Sequence, residues 1–155
     1  MRPAALALLS VTLLAGACST SVGLEAREVR LDLPGQRVRP EIDGCAREGD
    51  LVVLGASTPS VLLQVLLRLD ADDEVLLSSS GITVTVGRQG TLGAGDAALI
   101  DSETGGAGEI IEATVRGDRI DVVADVRRTS RDGDVEPGRL ELAARCTPED
   151  DLAAP

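Results

Sequence analysis

The stretch Thr58-Pro59-Ser60-Val61-Leu62-Leu63-Gln64-Val65-Leu66-Leu67-Arg68-Leu69 decides the fold, because its letters satisfy two periods at once. Read at period two, Val61, Leu63, Val65, Leu67 and Leu69 line one face, while Gln64 and Arg68 share the other with Leu62 and Leu66. Read as a helix, Thr58 caps the first turn, Pro59 takes the first helical position, and Gln64 and Arg68 fall on one side. The neighbouring segments are strands and favour the strand reading. A short helix near 59–69 stays open as the alternative.

Working outward, Leu51 to Leu54 is a short apolar run that suits a buried strand, and Ile82, Val84 and Val86 alternate with Thr83 and Thr85. Between them the acidic turn Asp70 to Glu74 gives way to apolar chain at Val75 to Leu77. Upstream, Val29, Leu31 and Leu33 alternate with Arg30 and Asp32, Pro34-Gly35 turns the chain, and Val38 to Cys45 is a weaker strand candidate. Glu48-Gly49-Asp50 turns it again. Downstream, Gly87 to Gly95 reads as a glycine-rich loop, Ala97 to Ile100 as a short strand, and Ser102 to Gly108 as a loop. Ile110 to Val115 and Ile120 to Val126 flank Arg116-Gly117-Asp118-Arg119 as a hairpin. A polar, turn-rich span from Thr129 to Gly138 precedes a last strand in which Leu140, Leu142, Ala144 and Cys146 point one way. About eight short strands between turns predict an all-β, antiparallel β-sandwich.

Composition removes whole classes of chemistry. The fifteen basic residues are all arginine, and there is no lysine, histidine, Phe, Tyr or Trp. That excludes Schiff-base lysines, a Ser-His-Asp triad and histidine metal sites, and it removes any aromatic platform for single-stranded nucleic acid. The core must be built from Val, Leu, Ile and Ala.

The N-terminus carries an address. Arg2 supplies a positive start, Ala4 to Leu14 an apolar run broken only by Ser10 and Thr12, and Leu13-Leu14-Ala15-Gly16-Ala17-Cys18-Ser19-Thr20 closes it on a cysteine. The run is too short to span a bilayer as a permanent helix and fits an export signal. The end looks like the lipobox of a bacterial lipoprotein, although Ala15 stands where a branched aliphatic residue is usual. Cleavage there would make Cys18 the lipidated first residue. The alternative is an ordinary secretory signal cut elsewhere. Losing Arg2 takes the net charge from −11 to −12, a field that repels nucleic acid and anionic headgroups. With Cys18 assigned to lipid, Cys45 and Cys146 remain as one disulfide pair in an oxidising compartment, or else as two buried thiols. The expected organisation is a signal peptide over 1–17, a tether over 18–27, a β-rich domain over 28–146 and a disordered acidic tail over 147–155.

The order of lipobox, short tether, strand pair ending at Cys45, Leu51 to Gly55, the Ile82 strand, the Gly105 to Val126 hairpin and a final strand closing at Cys146 resembles the LpqH-type lipoprotein antigen family of mycobacteria and their relatives. The resemblance implies an exported, lipid-anchored β-rich domain closed by one disulfide and sensed by host lipopeptide-recognising Toll-like receptors through its acyl chains. The long Ser/Thr-rich tether that carries glycans in the antigen is missing here, and no catalytic residues come with the family.

The remaining motifs have plain explanations. Asp70, Asp72, Asp73 and Glu74 offer hard oxygen ligands, without the EF-hand order, and fit a solvated acidic turn. Arg116-Gly117-Asp118 spells an adhesion tripeptide but is also what a tight turn needs. Gly90 to Asp96 has glycines of the phosphate-cradling kind, without the strand-to-helix context. Ser57, Ser60 and Ser78 to Ser80 have no base to activate them, and the carboxylate pairs Glu109 with Glu112 and Asp121 with Asp125 are read as solvated. The expectation is a non-enzymatic envelope lipoprotein without cofactor or nucleic-acid partner. It is held to the outer face of the membrane by acyl chains on Cys18 and acts as a surface interaction or antigen-like module. The alternative is an envelope lipid or glycolipid carrier with an apolar cavity between its sheets.

Overall fold

Val61 to Arg68 is a strand. Val61, Leu63, Val65, Leu67 and Leu69 are buried, as the period-two reading requires, and Leu62 and Gln64 face solvent. Thr58, the candidate helix cap, caps a turn instead: its Oγ1 accepts from the amides of Ser60 (3.2 Å) and Val61 (3.0 Å). The same hydroxyl geometry serves either structure, and the flanking strands select the turn.

The computed structural model describes residues 24–88, 90–96, 108–129 and 135–147. The signal peptide, Cys18, the Ala97–Ile100 strand candidate, most of the loop that follows it, and residues 148–155 lie outside the described residues. The strands are β1 (Glu28–Leu33), β2 (Gln36–Val38), β3 (Glu41–Glu48), β4 (Leu51–Thr58), β5 (Val61–Arg68), β6 (Gly81–Val86), β7 (Gly90–Gly95), β8 (Glu109–Arg116), β9 (Arg119–Thr129) and β10 (Val135–Arg145). A single 3-10 turn spans Leu77–Ser79.

The expected sandwich is wrong. The strands form one antiparallel sheet in the order β10-β1-β3-β4-β5-β6-β7-β9, and β9 pairs β10 to close an eight-stranded barrel. β2 lies on the edge of β1, and β8 on the edge of β9. A sandwich and a barrel demand the same alternation along each strand, so only the meeting of β9 and β10 separates them.

Three local expectations also change. Gly90 to Gly95 is strand β7 rather than loop: it pairs β6 from Gly81↔Gly95 to Val86↔Gly90. Of the span expected to be turn-rich from Thr129 to Gly138, the described residues are strand, because β9 runs on to Thr129 and β10 starts at Val135. Val38 to Cys45 divides between β2 and β3, and Val75 makes only an isolated bridge to Leu69.

Inside, Val29 and Leu31 of β1, Val52 and Leu54 of β4, Leu63 and Leu67 of β5, Ile82, Leu92, Ile120 and Leu140 are at most 1% exposed and belong to one cluster. An eight-stranded barrel is just wide enough for side chains to fill, and here aliphatic groups fill it without an aromatic ring.

Ser80 is the one buried polar side chain among the described residues. It sits where the chain re-enters the wall ahead of β6. Its Oγ accepts from the Arg68 amide (2.9 Å) and donates to the Leu76 carbonyl (2.8 Å). Ser80→Ala strands the Arg68 amide and leaves the Leu76 carbonyl with the Ser79 amide alone, so urea unfolding should show a loss of about 1–3 kcal/mol. An unchanged midpoint would mean that water replaces the hydroxyl.

Candidate functional site

The barrel is thinnest between β1 and β3, which share the single pair Glu28↔Glu41. Below that pair three contacts tie the seam. Cys45 of β3 and Cys146, just past β10, form a disulfide with Cα atoms 6.1 Å apart and a sequence separation of 101. Arg27 Nη2 donates to the Ile42 carbonyl (2.9 Å), and Arg145 Nη1 donates to the Leu24 carbonyl (3.0 Å). Leu24 is only 5% exposed. Leu24 to Arg27, assigned to the tether on sequence, thus pack on the barrel end that carries the disulfide.

The acidic turn is knit to itself and to β3. Asp70 Oδ1 accepts from the amides of Asp72 and Glu74, both at 2.9 Å. Asp73, at φ 61°, pairs at 2.6 Å with Arg47, whose side chain is 11% exposed. Asp70, Asp72, Asp73 and Glu74 do not converge, and no group of three possible metal ligands occurs among the described residues.

Gly117 and Asp118 form the tip of the β8–β9 hairpin, with Gly117 at φ 58°, the first-position geometry of a type II′ turn. The Asp118 carboxylate accepts from Arg145 Nε at 2.8 Å, and its carbonyl accepts from the Cys146 amide at 2.7 Å. The Arg116-Gly117-Asp118 aspartate is therefore engaged with the end of β10.

Asp121 pairs with Arg119 at 2.9 Å. That hydrogen bond, and then the carboxylate's charge, raises the Arg119 pKa, and Asp32 acts on Arg37 in the same way. Both guanidiniums stay cationic. Asp125 is exposed and lies opposite Glu109. Glu112 is separated from Glu109 by a bulge at Ile111. Ser60 faces solvent beside Thr58, and Ser80 is buried as described. None of these carboxylates or hydroxyls is gathered into a catalytic arrangement.

The feature that sequence reasoning missed lies along β8. β9 gives one edge to β10 along the whole of that strand. Its other edge is shared: β7 takes Arg127 and Arg128, and β8 takes the residues from Arg119 to Asp125. At the changeover Gly108 slips between strands. Its amide donates to the Gly93 carbonyl (2.8 Å), and its carbonyl accepts from the Gly95 amide (3.1 Å). Beyond Gly108, β8 has β9 on one side and no strand among the described residues on the other. Facing that open side, the segment Asp73 to Leu77 leaves a groove of about 390 Å³ against Ile111–Arg116. A second groove of about 330 Å³ continues past Leu77 and Ser78 to Glu109 and Ile110. Ile111 is 44% exposed at the bulge. The adjacent apolar pair Ile110-Ile111, which breaks alternation, was the one sequence signal of it.

No family model matches the chain, and no curated protein matches it in sequence.

Proposed function

We propose that this protein is a non-enzymatic, lipid-anchored lipoprotein of the cell envelope that works as an interaction module through its outer surface. The observation that carries the reading is the filled interior. Aliphatic side chains from around the barrel meet in one cluster, which leaves recognition to the outside. The carrier alternative calls for an apolar chamber of at least about 300 Å³ within the wall. The grooves of that size along β8 open on the exterior instead.

The anchor is Cys18, and the resemblance to LpqH-type lipoproteins supports it together with the disulfide-closed, all-β domain. Only five residues lie between Cys18 and the docked Leu24, a reach of about 20 Å when extended. On this reading the disulfide end of the barrel faces the membrane. The acidic chain offers no basic patch to substitute for acyl chains, and stable attachment needs two membrane signals, each buried methylene contributing about 0.8 kcal/mol. Cys18→Ser is therefore expected to move the protein from the membrane pellet to the soluble fraction, or to leave the signal uncleaved. A cleaved Cys18→Ser protein that stays with the membrane through high-salt washing would overturn the reading.

A further inference from the structure

We propose that the open edge of β8 takes up an extended, basic segment of a partner protein as an added strand. The proposal deepens the interaction reading above and uses its membrane anchor in one step.

The edge is built to pair. Because hydrogen-bonding direction alternates along a strand, Glu112, Thr114 and Arg116, opposite Val123, Asp121 and Arg119, turn their backbone groups toward β9. The parity is set at the two-residue turn Gly117-Asp118, which makes Arg116↔Arg119 a hydrogen-bonded pair, and the bulge at Ile111 reverses it relative to Gly108, whose amide and carbonyl face β7. The N–H and C=O groups of Ala113 and Val115 consequently face the groove, where no described residue meets them. Unpaired edges of this kind template strand addition.

The groove then sets the chemistry of the occupant. Ala113, Val115, Val75 and Leu77 pack against the core and give it an apolar floor. Glu74 and Glu112 stand on its rim and have no arginine partner among the described residues, Asp73 is already neutralised by Arg47, and Arg116 places a cation only at the hairpin end. A strand laid here presents alternate side chains to the floor and to the rim. Aliphatic residues suit the first set and arginine or lysine the second. The far wall is preformed, because Asp70 and Arg47 hold the acidic turn in place, and a preformed wall lowers the ordering cost of binding.

A second copy fits poorly. Antiparallel pairing of β8 with itself inverts one barrel relative to the other, and two anchors about 20 Å from the same barrel end cannot then reach one membrane. Parallel pairing about a two-fold axis turns one sheet over, so the apolar floor residues Ala113 and Val115 of the two copies fall on opposite faces and form no common floor.

The test uses the full-length protein in detergent micelles and a fluorescein-labelled octapeptide of alternating arginine and valine. The control is the same peptide with every backbone amide N-methylated, which keeps charge and side chains but cannot pair. The plain peptide should bind saturably and at least tenfold more tightly than the control. The Glu74→Arg/Glu112→Arg double variant should weaken it at least tenfold, and hydrogen exchange should slow at the Ala113 and Val115 amides on binding. Equal binding of the two peptides, unchanged binding by the double variant, or protection that appears away from β8 overturns the proposal. So does β8 protection that rises with protein concentration and no peptide, the signature of a second copy. Failure here while membrane attachment still requires Cys18 sinks this proposal alone and leaves the lipoprotein reading standing.

Discussion

Reducing the Cys45–Cys146 bridge should cost this protein roughly 2–5 kcal/mol, a large share of a small domain's stability. The bridge spans 101 residues, and the chain-entropy model gives about 4.7 kcal/mol for a loop of that size. The native state adds its own reason. The bridge lies across the β1–β3 seam, where the sheet supplies one residue pair. Without it, the end of β10 is coupled to β3 through β1, Arg27 and the docked Leu24. Urea unfolding of oxidised protein and of the Cys45→Ser/Cys146→Ser variant, followed by far-ultraviolet circular dichroism, measures the loss. Hydrogen exchange should quicken first at Glu28, Glu41 and Ile42. A variant with the oxidised protein's midpoint would show that the seam closes without the bridge.

The second large effect belongs to Gly108. A Cβ built there overlaps the backbone carbonyl of Asp125 and crowds the Cα of Val126. No rotamer change relieves a clash with backbone, so Gly108→Ala must push β8 away from β9 at the point where β7 hands over the edge. The expected cost is above about 3 kcal/mol, in the range reserved for broken packing or strained backbone. Gly55→Ala is the internal control. Gly55 is also in a strand, opposite Gly44, but a Cβ there meets nothing within 4 Å. Its effect should stay within about 1 kcal/mol and favour folding, since alanine narrows the unfolded ensemble. Equal unfolding midpoints for the two variants would refute the close approach at Gly108.

Gly108 also shows why part of the candidate site was invisible in the sequence. A glycine-rich run reads as loop because glycine's usual role is conformational freedom. In β7 glycine serves both uses within a paired strand: Gly95 has φ 102°, and a Cβ on it would strike the Ser80 carbonyl. A one-letter string does not say which of these uses applies. The open edge of β8 was hidden for a related reason. It exists because β7 stops at Gly95 and leaves part of β9 to a strand that arrives later in the chain. β8 and β9 had their own signals as a hairpin, but β7 read as a loop and the competition for a shared edge had none. The bulge at Ile111 was the one visible trace.

The amino-acid sequence by itself indicated the all-β class, the inward set of side chains on β1, β5, β6 and β10 and most of the hairpin turns, and its expected Cys45–Cys146 pair is present as a disulfide. The first three are local properties. Alternation is written into neighbouring residues, and turns need particular dihedrals. Tertiary structure alone decided that the sheet closes as a barrel, that Leu24 to Arg27 join the domain, and that β8, beside a groove with Glu74 and Glu112 on its rim, meets no second strand among the described residues. The physical reason is that a strand's pattern fixes which face is buried and leaves open which edge meets which. Edges pair through backbone groups that every residue carries alike, so the choice between sandwich and barrel falls to the one contact, β9 with β10, that closes the ring.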